Sequence, residues 1–126
     1  IRSFPLTGTG MGTFNDVADV LYALHLPRNP QAHSLFLQVA VDLGLPGLVA
    51  FLAVLLLVLW IALQAYGLLG RLQEHSLQPV AVGGLSGVAA TIAHGLVDSH
   101  TWDSKGAFLS WAVMGLVVAL YMWASS

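Results

Sequence analysis

Three long stretches without a charged side chain constrain this sequence more than any other feature. No Asp, Glu, Lys or Arg occurs from Leu43 to Gly70, from Ser76 to Val97, or from Gly106 to Ser126. Each stretch is longer than the roughly 20 apolar residues that a helix needs to cross about 30 Å of hydrocarbon. The sequence therefore predicts an all-α integral membrane protein with about three transmembrane helices, near residues 48–70, 78–97 and 106–124.

The composition agrees with this prediction and excludes several functions. The chain is 57% hydrophobic and 8% charged, whereas soluble domains have about 25% charged residues. A net charge of −2 offers no basic face, so no nucleic-acid partner is expected. The absence of cysteine excludes thiolate metal sites and a cysteine nucleophile. Because the chain begins at Ile1 and three helices bury little interior, we expect a fragment of a larger membrane domain.

The middle uncharged stretch differs from the other two in its small and hydroxylated residues. Such residues let helix backbones approach closely, so this stretch predicts a helix packed among other helices. The residues concerned are Gly83, Gly84, Ser86, Gly87 and Thr91.

Residues 1–47 predict a glycine-rich extracytoplasmic loop followed by a short interfacial helix. Asn29 and Pro30 form a helix-start signal, which places His33 in the first turn. The helix should end at Gly44, and Pro46 should open the next helix after a change of direction. One stripe of the short helix is polar and the opposite side is apolar, which predicts a helix that lies at the membrane interface or is tucked against a bundle. The polar stripe comprises Ser34, Gln38 and Asp42.

The few charged residues predict the orientation in the membrane. Arg71 lies between the first and second spans, whereas residues 98–105 carry two Asp and one Lys. The positive-inside tendency places Arg71 in the cytoplasm, with residues 98–105 and His33 on the outer face.

His33 is the candidate catalytic residue. The positive end of the helix dipole would disfavour the imidazolium, leaving a neutral ring that can accept a proton from a sugar hydroxyl. The commoner alternative is a histidine that is hydrogen-bonded in an interfacial helix.

The segment from Pro5 to Phe14 has glycine at alternate positions 8, 10 and 12. Its amides could cradle a pyrophosphate, but a tight turn is the favoured interpretation. Arg28 supplies a nearby cation for phosphate. His94, Asp98, His100 and Asp103 could gather at the outer end of the second span. Such sets more often form caps and loop hydrogen bonds, so no metal and no cofactor are predicted.

The order of these segments resembles the O-antigen ligase family of bacterial membrane proteins, which includes polysaccharide polymerases. The resemblance is carried by PLTGTGMGTF (residues 5–14), AHSLFLQ (residues 32–38) and DLGLPG (residues 42–47), followed by a hydrophobic helix. The spans that follow agree with the C-terminal helices of that family in kind.

This resemblance implies a multi-pass protein of the bacterial inner membrane that transfers a glycan from an undecaprenyl-diphosphate carrier. The acceptor is a glycan or lipid at the periplasmic face, and the mechanism is inverting and metal-independent. His33 matches the histidine thought to assist the acceptor hydroxyl. The substrate-binding candidates are Arg28, Ser34, Gly8, Gly10 and Gly12. The alternatives are a transporter of the inorganic-carbon branch of the family, with His94, Asp98 and the second span lining a path, and a non-catalytic structural fragment.

Overall fold

A computed structural model of the chain describes residues 4–13, 16–17, 20, 34–99 and 105–126. Three long helices contain most of these residues: α1 (Leu35–Arg71), α2 (Gln78–Gly95) and α3 (Lys105–Ser125). The described ranges contain no strand, so the predicted all-α class is confirmed for them.

Within the part of the chain that the structure describes, two segments are long and apolar enough to cross a membrane, Leu35–Arg71 and Ala107–Ser125. The first contains the predicted span 48–70, and the second overlaps the predicted span 106–124. The second predicted span, residues 78–97, forms α2, which is less apolar than these two because of its Gly, Ser, Thr and His residues. The boundaries of α2 and α3 thus follow the uncharged stretches closely, whereas α1 begins at Leu35, before the uncharged stretch that starts at Leu43.

Helix α1 is interrupted at Gly44, whose backbone is not helical (φ 72°, ψ −175°). Pro46 falls in the first turn after the interruption, where a missing amide hydrogen is tolerated. The rings of Phe36 and Phe51, on opposite sides of Gly44, have centroids 6.5 Å apart. In a straight helix these residues would lie about 22 Å apart along the axis. The predicted stop at Gly44 and change of direction are therefore confirmed. We call residues 35–43 the arm and residues 45–71 the main segment of α1.

The predicted start of the arm is wrong. Helix α1 begins at Leu35, and Ser34 is its N-cap residue with an extended backbone (φ −162°, ψ 129°). The arm therefore does not continue back to Pro30, and His33 precedes the helix instead of lying in its first turn. A tertiary contact accompanies this later start, because the Ser34 hydroxyl donates a hydrogen bond to the Gly95 carbonyl (3.3 Å). Asn29, Pro30 and His33 themselves lie outside the described residues.

The three helices all contact one another around a common apolar core. Each helix contributes aliphatic side chains to it, and Phe36 of the arm packs against the same cluster. A smaller cluster lies towards the Arg71 end and contains Leu69, Ala81 and Leu120. The members of the main cluster are Leu55, Val58, Ala62, Val88, Met114 and Val117.

Helix α2 packs closely against α3 through two of its glycines. A side chain at Gly84 would collide with Val117, and a Cβ atom at Gly87 would lie 2.9 Å from Cγ1 of Val113. The expectation that small residues in this stretch permit close helix packing is confirmed.

Candidate functional site

The glycine-rich segment, residues 4–13, docks against the interruption of α1, and we call it the glycine loop. The Thr9 amide donates to the Val41 carbonyl (2.8 Å), and the Leu45 amide donates to the Pro5 carbonyl (2.9 Å). In an uninterrupted helix the Leu45 amide would instead donate to the Val41 carbonyl. The loop therefore provides a donor for the Val41 carbonyl and an acceptor for the Leu45 amide, the two groups that would bond to each other in an uninterrupted helix.

A third backbone bond compensates for Pro46. The Asp42 carbonyl would normally accept the amide of the residue four positions later, but proline has no amide hydrogen. The Gly10 amide donates to the Asp42 carbonyl at 3.0 Å. A buried carbonyl without a donor would cost about 1–3 kcal/mol. The three bonds together satisfy backbone groups that the Gly44 and Pro46 positions leave without helical partners, and we call this set of contacts the clasp.

Gly8 and Gly44 make the clasp possible because neither position has room for a side chain. A Cβ atom at Gly8 would collide with the Asp42 carbonyl, and one at Gly44 would lie 2.7 Å from the Leu6 carbonyl carbon. Both residues also have positive φ, 66° and 72°, which non-glycine residues adopt at a cost. The neighbours are backbone atoms, so no side-chain rotation could relieve such a collision.

The glycine loop forms turns, in agreement with the favoured interpretation of its sequence. The Gly8 amide donates to the Phe4 carbonyl (3.0 Å), while the Gly10 amide is engaged in the clasp. The Thr13 hydroxyl bonds to the carbonyls of Thr9 and Gly10 within the loop. The amides of Gly8 and Gly10 are thus directed at protein carbonyls. Binding of diphosphate by Gly8, Gly10 and Gly12 stays a prediction.

The other end of the arm is attached to the end of α2. Besides the Ser34 hydrogen bond, Leu35 packs on Gly95 and is 1% exposed. A Cβ atom at Gly95 would lie 2.8 Å from Cδ2 of Leu35. Ser34 therefore has a structural contact, and its proposed role in substrate binding stays a prediction. His33, the candidate base, directly precedes Ser34 in the chain.

Asp42 is a polar residue whose environment the sequence analysis missed. It is 3% exposed, and its Oδ1 accepts a hydrogen bond from the Gln38 side-chain amide (3.0 Å). The i, i+4 spacing correctly predicted that these two side chains share a stripe. Asp42 is buried because the arm packs against the bundle and the glycine loop, as in the alternative of a helix tucked against a bundle, whereas Ser34 and Gln38 are half-buried. A buried carboxylate in such an apolar chain needs partners of this kind.

The remaining candidate residues are only partly covered by the structure. Arg28, His100 and Asp103 lie outside the described residues, whereas His94 is exposed at the end of α2. Among the residues that are described, no group of three His, Asp or Glu side chains could hold a metal ion. Gly84, Gly87 and Gly95 pack against side chains, whereas a Cβ atom at Gly83 would meet nothing within 4 Å. A solute path along α2, the transporter alternative, stays a prediction.

Comparison with known proteins gave no relative: no protein-family model, no curated protein and no solved structure matches the chain. The likeness to the O-antigen ligase family therefore rests on the motifs of residues 5–14 and 32–47.

Proposed function

We propose that this chain is part of an O-antigen ligase-like glycosyltransferase. The enzyme transfers a glycan from an undecaprenyl-diphosphate carrier to a glycan or lipid acceptor at the periplasmic face of the bacterial inner membrane. All three helices cross the membrane, with Arg71 on the cytoplasmic side. The reaction uses no metal and no cofactor.

The observation that carries this proposal is the clasp. The resemblance was based on two motifs that are separated in sequence, the glycine loop and the segment around Gly44. The Gly10 amide and the Asp42 carbonyl, one on each motif, are joined by a hydrogen bond of 3.0 Å. Two motifs that identify one active site are expected to meet in space, and this contact supports their common assignment.

The position of the clasp also fits a reaction at one membrane face. The glycine loop contacts the start of the main segment, and Arg71 lies at its end, about 40 Å away at 1.5 Å per residue. This distance exceeds the roughly 30 Å thickness of the hydrocarbon core. With Arg71 in the cytoplasm, the clasp lies on the opposite side, where the lipid-linked donor is used.

In the proposed reaction His33 accepts the proton of an acceptor hydroxyl. The hydroxyl oxygen attacks the anomeric carbon of the donor sugar from the face opposite the diphosphate. A new glycosidic bond forms as the bond between that carbon and the diphosphate oxygen breaks. Undecaprenyl diphosphate leaves with the bonding electrons. Arg28 is the candidate cation in this chain that stabilises the negative charge on the leaving diphosphate.

The direct test is His33→Ala in the full-length protein, measured with a synthetic polyprenyl-diphosphate donor. Loss of a general base typically lowers the rate by about 10²- to 10⁴-fold. The matched control is His75→Ala, because His75 is exposed in the turn after α1, at the other end of the bundle from the clasp. Normal transfer by the His33 variant would exclude His33 as the base. Normal surface glycan with altered solute uptake would favour the transporter.

A further inference from the structure

We propose that Gly8, Gly44 and Gly95 are positioning residues, which hold the arm at both ends, and that transfer depends on the placement of the arm because the candidate base, His33, directly precedes Ser34 in the chain. This inference rests on the proposed function. It assigns the glycine loop a role different from a phosphate cradle, because the loop completes the backbone of α1 and determines where the arm lies.

The arm cannot hold its place by itself. It comprises residues 35–43, fewer than the roughly 12–15 residues that an isolated helix needs to be even marginally stable in water. Its direction is separated from that of the main segment by the non-helical backbone at Gly44. Its placement therefore depends on contacts with other parts of the protein, namely the packing of Phe36 on Phe51 and the contacts at its two ends.

At the Gly44 end, the clasp fixes the arm through backbone atoms alone. The carbonyls of Val41 and Asp42 accept amides of the glycine loop, and Leu45 returns its own amide to that loop. The same loop thus bonds to both sides of the interruption. Because Gly8 and Gly44 approach each other through backbone atoms, an added methyl group would separate the loop from the arm.

At the Ser34 end, the arm is fixed by the last turn of α2. Leu35 is buried, and it would be displaced by a Cβ atom at Gly95, 2.8 Å from its Cδ2 and 3.0 Å from its Cβ. The hydrogen bond from Ser34 to the Gly95 carbonyl adds a directional contact. The end of the arm that directly follows His33 in the chain is therefore held by two contacts with Gly95.

Small displacements of a catalytic group have large effects on rate. A shift of about 1 Å caused by a change far from the reacting atoms can lower the rate by about 10²-fold. Gly8→Ala and Gly95→Ala are therefore expected to lower kcat by this order, although neither residue donates or accepts the transferred proton. The KM for the donor should change much less, because the glycine loop does not hold the diphosphate in this scheme.

The experiment uses the full-length protein in detergent and two measurements on each variant. One is transfer kinetics with the synthetic polyprenyl-diphosphate donor, and the other is backbone hydrogen exchange. Gly8→Ala should lower kcat and accelerate exchange at Thr9, Gly10 and Leu45, with α2 and α3 still protected. Gly67→Ala is the control, because a Cβ atom there meets nothing within 4 Å, and it should leave kcat and exchange unchanged.

A second comparison separates collision from backbone strain. Gly12 and Gly8 both have a positive φ, 73° and 66°, but a Cβ atom at Gly12 has no neighbour within 4 Å. Gly12→Ala should therefore affect kcat less than Gly8→Ala does. Equal losses of kcat, or a raised KM for the donor in both variants, would overturn the proposal and favour the phosphate cradle.

A third pair of variants, both at Leu45, provides the test if Gly8→Ala disrupts the whole bundle. Leu45→Pro removes the amide hydrogen that bonds to the Pro5 carbonyl, at the start of a helical segment, where proline is tolerated. Leu45→Ala keeps this hydrogen bond and serves as the control. The proline variant should show the lower kcat. Faster exchange in the loop with unchanged kcat would overturn the positioning role alone. Normal transfer by His33→Ala would overturn the proposed base, while the exchange data would still test the clasp.

Discussion

Two adjacent glycines of α2 provide a matched pair that tests the packing of α2 on α3. Alanine is about 0.5–1 kcal/mol more favourable than glycine in a helix interior. At Gly83 a Cβ atom would meet nothing within 4 Å, so Gly83→Ala should raise the free energy of unfolding by about that amount. The same gain applies at Gly84, but there the added methyl group collides with Cγ2 of Val117.

The collision at Gly84 is expected to outweigh the gain in helix propensity. Val117 is 2% exposed, and its β-branched side chain has essentially one rotamer in a helix, so it cannot turn away. Overpacking of this kind costs about 1–3 kcal/mol. Gly84→Ala should therefore be less stable than Gly83→Ala by about 1–3 kcal/mol, and less stable than the unmodified protein over most of this range.

The measurement is equilibrium unfolding of the purified protein in mixed detergent micelles, with the loss of helix followed by circular dichroism. Val117→Ala combined with Gly84→Ala should recover part of the loss, with a coupling of about 0.5–3 kcal/mol. If Gly83→Ala and Gly84→Ala change the free energy of unfolding equally, then α2 and α3 do not pack at Gly84, and the reasoning fails.

The other predictions concern the turn after α1 and the orientation of the chain. Gln73 has φ 56°, and its amide and that of Glu74 donate to the carbonyls of Gly70 and Leu69, which caps the end of the helix. Gln73→Gly should raise the free energy of unfolding by about 0.5–1 kcal/mol in the same assay, because glycine adopts a positive φ without strain. Leu72→Gly is the control and should lower the free energy of unfolding, because position 72 has φ −77° and gains nothing from glycine. A topology reporter fused after Arg71 should face the cytoplasm and one fused after Ser104 the periplasm; the reverse labelling would place the clasp on the cytoplasmic side and contradict the proposed function.

Local signals in the sequence predicted the helices and the interruption of α1. The uncharged stretches predicted the helices. Gly44 and Pro46 predicted the interruption, because glycine and proline each change the conformation of the backbone at their own position. Asn29 and Pro30 did not predict the start of α1 correctly, because such residues show only that a helix could begin there and not that it does. The observed N-cap residue, Ser34, bonds to Gly95, a residue 61 positions away that no local pattern includes.

The clasp itself could not be predicted from side-chain patterns. Its bonds join backbone atoms, and the contact between Thr9 and Val41 spans 32 residues. Alternating glycines indicated a turn but not its partner. The burial of Asp42 was not predicted either. The sequence places it on the polar stripe of a helix expected at the interface or against a bundle, and does not indicate which contacts cover that stripe.

The backbone character of the clasp has a consequence for which substitutions the protein tolerates. Hydrogen bonds between amides and carbonyls do not depend on the side chains attached to them. Many side chains at positions 5, 9, 41 and 45 are therefore compatible with the same geometry, provided that their own packing is satisfied. Glycines 8 and 44 have no such freedom, because a single methyl group collides with a neighbouring backbone. Substitutions in the clasp should therefore be tolerated at many positions but not at Gly8 and Gly44.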